Sequence, residues 1–293
     1  MKDGFVRVGC ASFDIELGNV EQNALSIIKY ATLANQEDIK VLVFPELCLT
    51  GYTIEDLFYQ RRVLNEVYKQ IEYILDKTYE FDMFIVIGAP LIHMNKLYNC
   101  AIAINNGEIL GVIPKSYIPT YHEFYEGRHF ACAMDKTTEI MINGSYYSFG
   151  TDIIFEDISH EHLKIGIEIC EDLWVPLPPS TKHCLNGATL ILNPSASNNL
   201  TSKSDYRRLL VSSHSARLIC GYAYCNTGLG ESTTDVVFSS HNLICENGSI
   251  VEESIQYDEG LVYSDLDLEK LVSERLEMST YPTRNDNYHF IPF

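Results

Sequence analysis

The sequence predicts an α/β protein, a single domain with two mixed β-sheets held between helical layers. Three observations lead there. Short continuous apolar runs, Val41-Leu-Val-Phe44, Phe84-Ile-Val-Ile87 and Thr189-Leu-Ile-Leu192, are the mark of strands covered on both faces. Stretches with apolar residues at helical spacing separate several of these runs. Two Asn-Gly pairs, Asn106-Gly107 and Asn247-Gly248, interrupt the alternation with hairpins, because that dipeptide supplies the positive φ a two-residue turn needs. Such sheets mix antiparallel with parallel pairs.

In chain order, Phe5–Phe13 reads as a first strand. Asn19 is a good N-cap with Gln22 three residues on, and Val20, Ala24, Ile27, Ile28 and Ala31 follow as a helical stripe. The strand at Val41 stops at Pro45-Glu46. Leu57, Leu64, Val67, Ile71 and Ile74 predict a helix from Thr53 to Leu75, with Thr53 and Asp56 placed to cap it. After Phe84–Ile87, a hairpin of Tyr98–Ile104 with Glu108–Ile113 ends at Pro114-Lys115. Ile153–Phe155 and Leu163–Ile169 are further strands. In the second, Leu163, Ile165, Ile167 and Ile169 alternate with Lys164, Gly166, Glu168 and Cys170, so Cys170 closes the face opposite the apolar one. Thr189–Leu192 stops at Asn193-Pro-Ser. Ser204 is placed to cap a helix running to Leu218, and Gly221–Asn226 is again strand-like. The second hairpin joins Asn242–Cys245 to Ile250–Val251. Leu261–Leu266, a short helix after Asp267 and a tail at Asn285–Phe293 complete the chain. No Gly/Ser/Pro-rich linker divides it. One domain is expected over residues 1–267, with a helix and tail over 268–293.

Composition excludes several function classes. The 293 residues are 46% hydrophobic and 21% charged, ordinary for a soluble globular protein. A net charge of −19 makes a nucleic-acid backbone or an anionic membrane surface a poor partner. The start, Met1 to Cys10, has no long apolar core, so no signal peptide is expected. No run approaches the roughly 20 apolar residues of a membrane span. Nine cysteines without regular spacing fit free thiols in a reducing cytosol, which is the expected compartment. His160-Glu-His162 and His183-Cys184 lack a third ligand nearby, and no metal site is expected. Nineteen tyrosines suggest packing and interface surface, and a homo-oligomer is expected.

Three polar residues stand where buried strands end: Glu46 after Val-Leu-Val-Phe-Pro, Lys115 after Gly-Val-Ile-Pro, and Cys170 after Ile-Gly-Ile-Glu-Ile. Charges placed there are costly unless paired, and strand ends are where α/β folds gather their active sites. A thiol is a poor nucleophile until a neighbour removes its proton. A carboxylate does so, and an ammonium stabilises the thiolate and the later oxyanion. Sequence spacing alone does not show that the three converge.

The surrounding wording is more specific. Phe44-Pro-Glu-Leu-Cys-Leu-Thr-Gly-Tyr52, Lys115-Ser-Tyr-Ile-Pro-Thr-Tyr-His-Glu-Phe-Tyr-Glu126 and Cys170-Glu-Asp-Leu-Trp-Val-Pro176 resemble, in order, the three signatures of the nitrilase (carbon–nitrogen hydrolase) superfamily. The likeness runs from Val6 to about Asp267. Tyr121–Glu126, Cys170–Pro176 and Asn193-Pro-Ser-Ala-Ser-Asn198 are similar to the glutaminase domain of glutamine-dependent NAD synthetases. This resemblance implies a four-layer αββα sandwich and a set of roles. Cys170 would attack the side-chain amide of L-glutamine. Glu46 would move the protons, Lys115 and the Glu171 N–H would hold the oxyanion, and Glu126 would support the triad. Tyr121, Trp174, Ser197 and Lys203 would contact glutamine. Relatives can carry arginine at the last position, and lysine keeps the charge but not the bidentate fork.

The resemblance further implies that a synthetase domain takes the ammonia and amidates deamido-NAD. ATP and magnesium are expected only in that domain, with no cofactor for the amide chemistry. Its pyrophosphate loop has no match here, and Gly228-Leu-Gly230 lacks a third glycine. Residues 268–293 are therefore expected to begin a linker toward a domain these residues do not contain. Two alternatives stay open: a freestanding amidase for another small ω-amide, and a non-catalytic scaffold of the same fold.

Overall fold

The computed structural model describes residues 4–284 and 286–293. Met1–Asp3 of the expected start and Asn285 of the expected tail lie outside the described residues.

Two sheets form the centre. The first has eight strands: β1 (Phe5–Ser12), β2 (Val41–Val43), β3 (Phe84–His93), β4 (Lys96–Asn105), β5 (Glu108–Pro114), β6 (Thr138–Ile142), β7 (Ser145–Phe149) and β14 (Gly260–Asp267). Their order is β14-β1-β2-β3-β4-β5-β7-β6. The second has seven: β8 (Ile153–Glu156), β9 (Lys164–Ile167), β10 (Leu190–Ser195), β11 (Gly221–Asn226), β12 (Leu243–Glu246), β13 (Ser249–Glu253) and β15 (His289–Pro292), in the order β13-β12-β11-β10-β9-β8-β15. Both are mixed. β1, β2 and β3 run parallel while the β3–β4–β5 meander is antiparallel, and β9–β10–β11 run parallel beside an antiparallel β12.

Strand alternation makes the layers. On β3, Phe84 and Val86 join Val8 of β1, Ile165 of β9 and Leu192 of β10 in the core between the sheets. Ile85 and Ile87 point the other way, against Ala24, Ile27, Val67 and Ile71 from helices α1 (Val20–Gln36) and α2 (Arg61–Thr78). Across the second sheet, Ile191 and Tyr222 pack with Cys184 of α3 (Pro179–Leu185) and with Val211 and Leu218 of α4 (Lys203–Leu218). Helix, sheet, sheet, helix is the αββα sandwich that the resemblance implied. The three-residue β2 is buried throughout, as its unbroken apolar run requires.

Local signals set most boundaries. Asn19 accepts from the Gln22 N–H at 3.3 Å and opens α1, and Asp267 accepts from the Lys270 N–H at 2.9 Å and opens α5 (Leu268–Glu277). Asn106 and Gly107 both have positive φ, +48° and +72°, between β4 and β5.

Four expectations change. The helix predicted from Thr53 begins only at Arg61, after a 3-10 turn at Glu55–Tyr59. Its intended caps are engaged elsewhere: the Thr53 hydroxyl donates to Glu231 at 2.5 Å, and Asp56 accepts from Arg128 at 2.8 Å. Ser204 caps nothing, because α4 starts one residue earlier behind Ser202 in a left-handed conformation. The strand through Ile169 ends at Ile167, so Cys170 sits beyond its end. The tail is partly a strand: β15 lies parallel to β8, and the Phe293 ring packs 4.8 Å from that of Phe84. The β6–β7 hairpin and α3 were not foreseen.

Candidate active site

Pro45 turns the chain out of the first sheet immediately after β2. There the loop lies so close to β3 that a Cβ on Gly88 would come within 2.2 Å of the Leu47 nitrogen. Glycine at 88 thus lets Glu46 sit against the sheet. Pro114 closes β5, and the next N–H, that of Lys115, donates to the Asn99 carbonyl of β4 at 2.9 Å. In the second sheet, Cys170 opens a 3-10 turn, Cys170–Leu173, with φ +43°, the left-handed region that non-glycine residues occupy at a cost. Asp172 staples the two loops together, accepting from the N–H groups of Ile169 at 2.9 Å and Tyr117 at 2.8 Å.

These turns bring Glu46, Lys115, Glu126 and Cys170 into one buried centre. Lys115 Nζ donates at 2.6 Å to Glu46 Oε1 and at 2.6 Å to Glu126 Oε1. Asn99 Nδ2 donates to Glu46 Oε1 at 2.6 Å and to Glu126 Oε2 at 3.3 Å. The Tyr52 hydroxyl donates to Glu126 at 2.8 Å, and the Ala196 N–H to Glu46 Oε2 at 2.8 Å. Every carboxylate oxygen of the pair is thereby engaged, which is the condition under which buried charge is tolerated.

Electrostatics assigns different states to the groups. Burial pushes the Cys170 thiol up, the Glu46 charge adds to this, and Lys115 only partly offsets it, so the thiol rests protonated and needs a base. Burial would lower Lys115, but the charges of Glu126 and Glu46 outweigh it and hold the ammonium. Burial pushes Glu126 up to about 6 against the pull of Lys115. Burial outweighs pairing at Glu126 and pairing outweighs burial at Lys115, as expected when two carboxylates share one ammonium.

Cys170 also lies on the wall of a cavity of about 390 Å³ that Tyr121, Glu171, Trp174, Ser197 and Lys203 line. All four expected substrate contacts therefore surround the thiol. Tyr121 donates to Glu171 Oε1 at 2.7 Å. Lys203 is the first residue of α4, its Nζ 5.2 Å from the centre of the Trp174 ring and donating to Asn198. An ammonium at a helix N-terminus is a place for a carboxylate. The Cys170 N–H is committed to Asn193 Oδ1 at 2.9 Å, so it is not available to a substrate oxygen.

Comparisons with known proteins identify the family. The carbon-nitrogen hydrolase family model matches residues 7–275. The chain belongs to the carbon–nitrogen hydrolase family. It is 40% identical over 280 residues to a glutamine-dependent NAD(+) synthetase of Mycobacterium bovis, covering 95% of this chain and 41% of that protein. The corresponding protein of Mycobacterium leprae is 40% identical over 286 residues, 97% of this chain and 42% of its own length. The chain thus spans less than half the length of these relatives. Among solved structures, a glutamine-dependent NAD(+) synthetase from Cytophaga hutchinsonii superposes with TM-score 0.80 at 29% identity, over 89% of this chain and 43% of that one. A Nesterenkonia amidase of the nitrilase superfamily superposes with TM-score 0.71 over 95% of this chain and 97% of its own, at 18% identity, a likeness of fold.

Several residues of this carbon–nitrogen hydrolase site escaped the reading of the sequence. Asn99 is one of several polar residues on a strand, and nothing local says which face it takes. Tyr52 belongs to the Phe44–Tyr52 signature, but its contact with Glu126 is tertiary. Glu231 holds the Tyr52 loop by accepting from the N–H groups of Tyr52 at 2.7 Å and Thr53 at 2.9 Å. Arg207, fully buried, donates to Ser197 Oγ at 3.2 Å and steadies the pocket wall from behind. The histidines carry ordinary contacts: His160 faces Asp157, and His183 lies 2.9 Å from the Tyr288 hydroxyl.

Proposed function

We propose that this chain is the glutamine amidohydrolase part of a glutamine-dependent NAD synthetase, splitting L-glutamine into glutamate and ammonia through a thioester on Cys170. The observation that carries the reading is the position of Cys170. The thiol stands between a buried Glu–Lys–Glu centre and a cavity whose rim offers a lysine at a helix N-terminus.

In this reading Lys203 and the N-terminus of α4 receive the α-carboxylate of glutamine. Glu171, tied to Tyr121, faces its α-ammonium group, with Trp174 and Ser197 as walls. The side-chain amide then reaches Cys170. Glu46 accepts the thiol proton as Sγ attacks the amide carbon, and the carbonyl oxygen becomes an oxyanion held by the Glu171 N–H and the Lys115 ammonium. Glu46 passes the proton to the leaving nitrogen, the C–N bond breaks and ammonia departs, leaving the glutamyl thioester. Glu46 next takes a proton from water, the resulting hydroxide attacks the thioester, and Cys170 recovers its proton as glutamate leaves. Glu126 keeps Lys115 in place throughout.

The ammonia would pass to a synthetase domain that amidates deamido-NAD, and ATP and magnesium would belong to that domain. No cofactor is assigned to the amide chemistry. The nine free cysteines, eight of them buried, support a reducing cytosol as the compartment. Exposed aromatic side chains such as Tyr59, Tyr146 and Tyr206 support a homo-oligomer.

Ammonia release from glutamine by the wild type, abolished in Cys170→Ala, is the expected result, with an intact-mass shift for the glutamyl thioester. No ammonia from glutamine or its analogues would end the glutaminase reading. Faster turnover of another ω-amide would favour a freestanding amidase. A Cys170 no more reactive toward a glutamine-analogue electrophile than the other thiols would favour a scaffold.

A further inference from the structure

Behind the nucleophile runs a second buried polar chain that shares no member with the Glu46–Lys115–Glu126 centre. The Cys170 N–H and the Ser195 hydroxyl both donate to Asn193 Oδ1, at 2.9 Å and 2.7 Å. Asn193 Nδ2 donates to the Tyr222 hydroxyl at 2.9 Å, and Tyr222 donates to Glu168 Oε1 at 2.5 Å. Glu168 Oε2 accepts from the Ser180 N–H at 2.8 Å. Glu168, Asn193 and Tyr222 are at most 1% exposed. One amide orientation satisfies every partner, since a flipped Asn193 would set its NH₂ against the Cys170 N–H. The chain is directional, each donor pointing toward the carboxylate at its far end.

The reaction sequence gives Glu168 no task, yet a carboxylate buried this deeply is costly to keep. Its chain ends on the backbone N–H of a residue held at φ +43°, a conformation that persists only when the surroundings over-determine it. Asn193 lies at the start of the segment whose Ser195 carbonyl accepts from the Glu46 N–H at 3.4 Å and whose Ala196 N–H donates to Glu46 Oε2. Nucleophile and base are therefore referenced to the same few residues. We propose that Asn193, anchored through Tyr222 to Glu168, is a positioning residue that holds Cys170 left-handed so that its thiol faces both Glu46 and the cavity. This rests on the glutaminase reading only for the choice of substrate.

The test compares Asn193→Ala, Tyr222→Phe and Glu168→Gln with the wild-type chain, each checked for folding by circular dichroism. Three readouts are taken: the second-order rate of Cys170 alkylation by iodoacetamide, with exposed Cys132 as internal reference, and kcat and KM for glutamine. Asn193→Ala is expected to slow both Cys170 alkylation and kcat about 100-fold while KM stays within about 3-fold, the size of effect an ångström of misplacement produces. Tyr222→Phe is expected to lose about 10-fold in both, and Glu168→Gln, which retains an acceptor for Tyr222, to stay within about 3-fold of wild type. Wild-type Cys170 alkylation in folded Asn193→Ala and Tyr222→Phe overturns the proposal, as does a loss carried by KM alone. If the wild type hydrolyses no glutamine, the glutaminase reading fails while the alkylation ratios still decide the role of Asn193.

Discussion

From the first sheet come Glu46 after β2, Asn99 on β4 and Lys115 after β5, whereas the second supplies Cys170 after β9 and Asn193 on β10. The first contribution is held by charge: one ammonium between two carboxylates, with Asn99 donating to both. At the nucleophile the second is held by a neutral, directional hydrogen bond from the Cys170 backbone N–H to Asn193, with the Glu168 carboxylate only at the far end of the chain. Proton transfer and oxyanion stabilisation need charge fixed in a dry place, which burial and mutual pairing provide. A nucleophile needs its direction fixed independently of the charges that move its proton, and the Asn193 side-chain carbonyl on its backbone N–H does that. Damage to the two sides should therefore have different signatures.

Lys115→Met gives the largest effect. It leaves Glu46 and Glu126 facing each other without their cation, so about 3–5 kcal/mol of stability should be lost by denaturant unfolding, the range found when one partner of a buried pair is removed. Glutamine hydrolysis should fall by at least about 100-fold for loss of an oxyanion partner. A variant of wild-type stability would mean that the ion centre contributes nothing to the fold. Glu46→Gln separates the roles, since Gln keeps an acceptor for Lys115 but cannot take the thiol proton. Its kcat should drop about 10²–10⁴-fold, the span of general-base effects.

pH gives the next largest signal, with opposite signs for activity and stability. Glu126 is raised from 4.5 to about 6. The folded chain therefore holds a proton that the unfolded chain releases between those values. Its contribution to stability is full below pH 4.5 and is lost as pH rises through 6. Activity should run the other way, because the ionised carboxylate is what holds Lys115, so kcat/KM should fall as pH drops through about 6. Glu126→Gln should abolish that acid limb. A limb unmoved in Glu126→Gln would assign it to another group.

How much of this was legible in the sequence depends on where each residue's information lies. Glu46, Lys115 and Cys170 stand where buried runs end, so strand pattern alone marked them out. Glu126 has no such frame, and only the resemblance singled it out. Asn99 was silent, and Tyr52 and Asn193 stood inside motifs without a role of their own, because their meaning is a tertiary contact: the partner of Asn99 is Glu46, far earlier in the chain. The fold shows the same division. Asn19 and the Asn-Gly turns at 106–107 and 247–248 act locally and were read, whereas the Asn143-Gly144 turn of the β6–β7 hairpin was passed over. Thr53 and Asp56 carried good capping chemistry that Glu231 and Arg128 claimed instead. β15 was missed because four residues beside a distant β8 leave no periodicity to read.

The rim of the pocket should give the smallest effects, confined to binding. Lys203 is poised by α4, by Trp174 and by Asn198, and burial lowers it from the ordinary lysine value. Lys203→Ala should raise KM for glutamine about 10–100-fold, a loss of the 1.5–3 kcal/mol typical of a hydrogen bond to a charged group, and leave kcat within a few-fold. Lys203→Arg should recover most of the affinity, because a guanidinium keeps the charge and adds a fork that matches a carboxylate. Steady-state kinetics with glutamine and with a small amide lacking the α-carboxylate decide the matter. The Lys203→Ala penalty should vanish for the small amide, whose binding never used the lysine. If both substrates suffer equally, Lys203 shapes the cavity instead of reading a carboxylate, and the pocket no longer distinguishes glutamine from other ω-amides.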